Sequence, residues 1–304
     1  MHGDVQADGA VTGVARKVKL YMFSGSAPSL TARLMLERKG IDHKAVHLMV
    51  GPHAFGMLGR GFQTMTVPAL RIDGRRVQGS REISRALDEL TPRPPLFAAD
   101  AQRRRAVEEA EEWGEELQDA VRRILLCAAR RDPRAFLSVY RHANPLMRPA
   151  QRVSRRLVTR LATAGHRATD RAGERDLAAL PARLDRIDAW IDEGLLDGAE
   201  PNAADFQIAP NVALLLRFED LAPFVEGRPA ARLAQRVAPE FPGQVPAVLP
   251  PAWLEPLRGA GGAAPESDPM GPGEVLRALG TNEDLSGAPP RQDVGPLPSW
   301  RYGR

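Results

Sequence analysis

The spacing of apolar residues changes character once along this chain, between Pro92 and Asp100, and that change limits the fold more than any other feature. Before it, apolar residues alternate in short runs: Val18 to Phe23, Lys44 to Met49, Val67 to Ile72 and Arg75 to Gln78 read as strands. After it they recur every three or four positions, as in Val107, Leu117, Val121 and Ile124, and no strand signal follows. A chain that places its strands first and its helices afterwards builds a small α/β unit followed by an all-helical one. Its 304 residues are enough for two such units.

In the first unit, Ser24-Gly25-Ser26-Ala27-Pro28 breaks the opening strand, and Leu30, Ala32, Leu34 and Leu36 follow at helical spacing up to Gly40. Gly51 to Thr66 reads as a glycine-rich loop. Asp73-Gly74 is a two-residue hairpin turn, and Ser80 opens a helix through Ile83, Ala86, Leu87 and Leu90. The order is βαβ followed by ββα. In the second unit Asp100 caps a long helix that Asp132-Pro133 breaks, and others are expected from Pro149 and over Leu177 to Leu195. Asn202 to Asp205 has the spacing of a reciprocal cap ahead of Phe206. The expected bounds are a loose N-terminus at 1–16, an α/β unit at 17–95, a helical unit at 100–256 and a Gly/Pro-rich tail at 257–304, disordered or loosely docked.

Cys127 is the single cysteine, which excludes an intramolecular disulfide and a multi-cysteine zinc site. The histidines show no ligand-like spacing, and no metal is expected. No apolar run reaches the length of a membrane span, and residues 1–16 do not resemble a secretory signal, so the expectation is a cytoplasmic protein. A formal charge of +4, from 42 basic and 38 acidic residues, gives no reason to expect nucleic acid as a partner.

Four segments in order resemble the glutathione transferase family. Leu20 to Ser29 is similar to its first strand and active-site loop; Thr66-Val67-Pro68-Ala69-Leu70 to its Val-Pro segment, whose proline is cis; Gly79-Ser80-Arg81-Glu82-Ile83 to its Glu-Ser-x-Ala-Ile segment; and Asn202 to Asp205 to the cap of a central helix. The resemblance covers roughly residues 17 to 255. It implies a thioredoxin-like α/β N-terminal domain followed by an all-α C-terminal domain. It also implies glutathione or another low-molecular-weight thiol as co-substrate, an electrophilic small molecule as acceptor, and pairing into a homodimer as an open possibility.

The site that follows from the resemblance places Ser26 as the hydroxyl donor to a bound thiolate. Ser24, Val67, Pro68, Gly79, Ser80 and Arg81 would hold the thiol, and Trp113, Leu117 and Val121 the acceptor. A sharp turn at Pro68 would leave the Val67 backbone free to bond an extended peptide, and the start of the Ser80 helix would seat a carboxylate. Lowering a thiol pKa by about two units takes roughly 2.7 kcal/mol, within reach of one hydroxyl and a helix N-terminus. Ser24, Ser26 and Ser29 all lie in the loop, and each also reads as a plain loop or cap serine; Tyr21 sits early on the strand. Ala27 stands where thiol-disulfide relatives carry cysteine. Gly79 departs from the acidic or amide residue that usually holds the ligand's amino group.

A non-catalytic scaffold with the same fold is the other reading, and Gly79 favours it. Arg148, Arg152, Arg155, Arg156 and Arg160 flank Val153, Leu157 and Leu161 on one helix, either as a basic amphipathic surface for an anionic membrane or partner, or as a solvated arginine face over a core stripe. Cys127 reads as a buried small hydrophobe, and His53 as a loop histidine that either approaches the ligand or stays solvated.

Overall fold

A computed structural model of the chain describes residues 17–260. The expected loose N-terminus at 1–16, the tail beyond 260 and the short apolar stretch Val275 to Leu279 lie outside the described residues. The first unit contains β1 (Val18–Met22), α1 (Ala27–Arg38), β2 (Lys44–His47), α2 (His53–Leu58), β3 (Ala69–Ile72), β4 (Arg75–Gln78) and α3 (Ser80–Leu90). The four strands form one sheet in the order β2-β1-β3-β4, with β1 and β2 parallel and the other pairs antiparallel. Asp73 and Gly74 both take positive φ, 48° and 94°, as a two-residue hairpin turn requires.

Alternation along the strands sends Leu20, Met22, Leu70, Ile72 and Val77 into the main core with α1 and α3. Tyr21 and Ala69 face the other side, where Met57 of α2 and Phe62 complete a smaller cluster. Tyr21 is therefore a packing residue, its ring edge-on to Phe62 at 5.4 Å. Helix α2 interrupts what the sequence presented as a loop. It is six residues long and follows Pro52 with no side-chain cap, so the usual start signal is missing.

The helical unit comprises α4 (Ala101–Arg131), α5 (Pro133–Val139), α6 (Arg148–Gly165), α7 (Asp170–Ala178), α8 (Leu180–Asp192), α9 (Ala203–Leu215), α10 (Ala222–Val225), α11 (Pro229–Val237) and α12 (Glu255–Ala260). Asp100 caps α4 through the Arg103 amide at 2.7 Å. The stretch expected as one helix from Leu177 to Leu195 is divided at Ala179 between α7 and α8, with Pro181 in the first turn of α8, where a missing N–H costs nothing. Asn202 and Asp205 form the reciprocal cap of α9: the Asn202 side chain accepts from the Ala204 and Asp205 amides, and Asp205 accepts from the Asn202 amide at 2.8 Å. Helix α12, with Leu257 buried, crosses the expected boundary at 256.

Helix α9 is buried along its whole length and packs against both α1 and α4. At Gly114 of α4 the crossing is so close that a Cβ would lie 2.7 Å from Gln207 Cγ. The connection between the units is held from inside by Lys39. Its buried ammonium donates to Asp88 Oδ1, the Thr91 carbonyl and the Pro94 carbonyl, each at 2.7 Å. All three of its protons are used, which is the condition for burying a lysine.

Of the two readings of α6, the core stripe does not hold. Val153, Leu157 and Leu161 of α6 are 87%, 62% and 62% exposed, and the helix buries Gln151, Val158 and Thr159 instead. Periodicity shows that a helix has an apolar side; what covers that side is decided elsewhere in the chain.

Candidate functional site

Strand register brings the candidate residues to one end of the sheet. Tyr21 stands opposite Ala69, Ala69 opposite Gln78, and Met22 beside His47. The β1–α1 loop, the chain entering β3, the chain leaving β4 and the end of β2 therefore all meet the same edge. Ser24, Ser26, Val67, Pro68, Gly79 and Ser80 are assembled by this row.

The Val67–Pro68 peptide is cis. The ladder starts at Ala69, and the Val67 backbone makes no hydrogen bond among the described residues, while the Pro68 carbonyl accepts from the Gly79 amide at 3.0 Å. Val67 thus presents an unpaired N–H and C=O beside the β1–α1 loop, an arrangement suited to an added extended strand.

Ser26 is the N-cap of α1 with extended backbone, φ −91° and ψ 121°, yet its hydroxyl accepts no bond from the helix. It is left at the positive end of a 12-residue helix. The other two loop hydroxyls are engaged: Ser29 accepts from the Phe23 amide at 3.2 Å, and Ser24 Oγ shares a 3.0 Å bond with His47 Nδ1. Burial, with His142 and Arg33 nearby, holds the His47 pKa below its ordinary value, so the ring is neutral at pH 7. Gly25 has φ 74°, and a Cβ there would run into the Val139 carbonyl, so the loop lies directly on the end of α5.

Around this edge stand His53, singled out in the sequence as a loop histidine, and Phe23, Tyr140 and His47, to which the sequence assigned no role. Phe23 meets His53 edge-on at 4.7 Å and Tyr140 at 6.3 Å. Burial lowers the His53 pKa as well. His47 comes to the site only because β2 pairs with β1 in parallel; its partner Ser24 is 23 positions away in sequence. Alternation on β2 was the one signal that could have found it.

At the start of α3, Gly79 takes φ 101°, and Ser80 is buried as the first helical residue. A Cβ at position 79 would collide with the carboxylate of Glu82, which folds back over the glycine. An acid thus sits at the mouth of α3 although the position before Ser80 has no side chain. Arg81 points elsewhere: it lies 3.5 Å from both Glu112 and Glu115 on α4 and 3.9 Å from the buried Glu111. One residue along a helix is a rotation of about 100°, which turns Arg81 away from the edge Ser80 faces.

The residues expected to contact the acceptor all lie on α4. Leu117 and Val121 are fully buried in the helical core, and Trp113 is edge-on to Trp190 at 5.0 Å with Arg186 over its ring. Their spacing marked the stripe of α4 that packs inward. Cys127 is buried with its thiol toward the Ala168 and Thr169 carbonyls, and burial pushes its pKa up. Among the described residues no group of three or more His, Cys, Asp or Glu is placed to hold a metal ion.

The family model for the glutathione S-transferase N-terminal domain matches residues 20–95. The maleylacetoacetate isomerases of Rattus norvegicus and Mus musculus are 35% identical over 97 residues, 31% of this chain and 45% of each relative. The chain therefore spans about half the length of these curated relatives. Among solved structures, the beta-etherase LigF of Sphingobium sp. strain SYK-6 is similar at a TM-score of 0.52 and 20% identity, covering 80% of this chain and 99% of that one. Glutathione transferase F7 of Populus trichocarpa is similar at 0.50 and 16%, with the same coverage. At such identities these two likenesses show the fold alone. Residues 20–95 belong to the glutathione S-transferase family, and the described chain has that family's fold: a thioredoxin-like N-terminal domain followed by an all-α C-terminal domain.

Proposed function

We propose that the protein binds glutathione or another low-molecular-weight thiol at this end of the sheet and promotes its nucleophilic attack on an electrophilic small molecule, as a cytoplasmic enzyme that pairs into a homodimer. The backbone of Val67 takes the thiol peptide as an added strand. Ser80 and the first turn of α3 receive a carboxylate. Glu82 supplies, from three residues further on, the acid that Gly79 lacks, and holds an ammonium group. The Ser26 hydroxyl and the start of α1 stabilise the thiolate, whose proton passes to solvent. Its sulfur bonds the acceptor carbon, and either a leaving group departs with its bonding pair or, in an addition, the displaced π pair takes a proton from solvent. The observation that carries the reading is the unpaired Val67 backbone lying beside a helix N-terminus whose cap hydroxyl is uncommitted.

The test is calorimetry with glutathione and other cellular thiols, followed by conjugation kinetics with a haloaromatic acceptor. Ser26→Ala is expected to lower kcat/KM by about a hundredfold, the size of effect seen when one donor to a developing anion is removed. Full activity in Ser26→Ala would remove that serine's role. The second reading is a non-catalytic scaffold, favoured by the commitment of Arg81 to α4 and the burial of Leu117 and Val121. Absence of heat with every thiol would leave the scaffold.

A further inference from the structure

Helix α6 carries two parallel stripes that the proposed thiol chemistry does not use. Val153, Leu157 and Leu161 recur at every fourth position and are 87%, 62% and 62% exposed, so they form one continuous apolar ridge. Single exposed apolar residues are ordinary, whereas a ridge of this kind marks an interaction surface. Leu146 and Met147, in the turn just before the helix, are exposed as well. Arg152, Arg156 and Arg160, each one position before a ridge residue, form an exposed basic stripe alongside it. None of the three makes an ion pair among the described residues, and the 18 residues of α6 contain no carboxylate.

A second feature lies at the C-terminal end of the same helix. A cleft of about 570 Å³ opens between α6 and the start of α7, with Arg130, Arg160 and Arg167 in its walls. Asp170, the one acid there, is held by Arg130 at 3.1 Å and by Arg131 at 3.2 Å. Arg160 and Arg167 have no ionic partner among the described residues, and the buried Thr163 hydroxyl in the same wall has no hydrogen-bond partner. The cleft is short of an anion.

We infer that α6 docks the protein on a bilayer containing anionic phospholipid. The Val153–Leu157–Leu161 ridge enters the headgroup boundary, the Arg152–Arg156–Arg160 stripe bonds lipid phosphates, and the cleft receives one headgroup phosphate between Arg160 and Arg167. Charge complementarity selects this occupant. Pairing of α6 with α6 of a second copy about a twofold axis brings no carboxylate of that helix opposite either arginine stripe, whether the helices run parallel or antiparallel. An anionic lipid surface offers a phosphate at every position along the stripe. Among the described residues no helix is long and apolar enough to cross a membrane, so the contact is a peripheral one.

The test is sedimentation of the full chain with vesicles of phosphatidylcholine alone and of phosphatidylcholine mixed with an equal part of phosphatidylglycerol. Binding is expected only to the mixed vesicles and weakens as salt rises. Leu157→Glu, at an exposed position that leaves the core intact, and the double change Arg156→Glu/Arg160→Glu each lower binding by at least about tenfold. Circular dichroism confirms that both variants remain folded. Failure to bind the mixed vesicles, or equal binding to both kinds, overturns the inference. So does vesicle binding untouched by Leu157→Glu, or a solution dimer that Leu157→Glu dissociates while vesicles are ignored, which would give the ridge to a second copy.

Discussion

The Thr31 hydroxyl on α1 donates to the carbonyl of Phe206 on α9 at 2.7 Å. That carbonyl faces Pro210 four residues on, inside the helix, which has no N–H to offer. A side chain of the α/β unit thus completes the backbone of the helix at the centre of the other unit. Thr31→Val keeps the shape and leaves a buried acceptor unmatched, so urea denaturation is expected to show a loss of about 1–3 kcal/mol. Restoring the amide with Pro210→Ala makes the Thr31→Val step cheaper, and the double-mutant cycle reads the coupling directly.

Lys39 is a second tie. Lys39→Met removes the donor to Asp88 and to two linker carbonyls, and is expected to cost about 3 kcal/mol by the same denaturation measurement. Asp88 also accepts from the Leu96 amide at 2.8 Å, so its carboxylate retains one partner and the loss stays below that of a wholly abandoned charge. A loss under the error of the measurement would show that water replaces the lysine.

Glu82→Gln separates binding from chemistry. With the carboxylate over Gly79 gone, the dissociation constant for glutathione is expected to rise about tenfold to hundredfold, the weight of one charge-assisted contact. kcat at saturating thiol should be unchanged. Unaltered affinity in calorimetry would place the ligand's ammonium elsewhere.

His47 makes stability depend on pH. Its folded pKa lies below the unfolded value near 6.5, so as pH falls through 6.5 the unfolded chain takes up the proton first. The stabilisation is therefore complete above about pH 6.5 and is lost progressively toward the lower folded pKa. Between pH 7 and 5.5 the fall in Tm is expected to be smaller in His47→Gln than in the parent. An equal fall in both would mean that the Ser24–His47 pair is too solvated to matter.

What was legible in the sequence was local or periodic. Asp73-Gly74, the Asp100 cap and the Asn202–Asp205 box are side-chain-to-backbone arrangements within a few residues, and each appears as read. Helix α2 was missed because Pro52 gives no cap and glycine surrounds it. The candidate site was assembled by strand register from segments that each carried a motif; Glu82 lay inside one of them without being assigned a contact, whereas His47 carried none. Leu117 and Val121 were expected at a cleft and lie buried, and the reading of Val153, Leu157 and Leu161 as a core stripe met exposed side chains. The reversal has one cause: a heptad-like pattern identifies a stripe on a helix, and only the neighbours across the space decide whether that stripe is covered.

Contact between Gly25 and the end of α5 has a directional consequence. It closes the α5 flank of the first loop, while on the side of the short second helix the Phe23 and His53 rings meet edge-on. Under the proposed thiol transfer, the choice of acceptor would rest on the few aromatic and glycine positions near residue 53, a stretch set apart from the main core behind it.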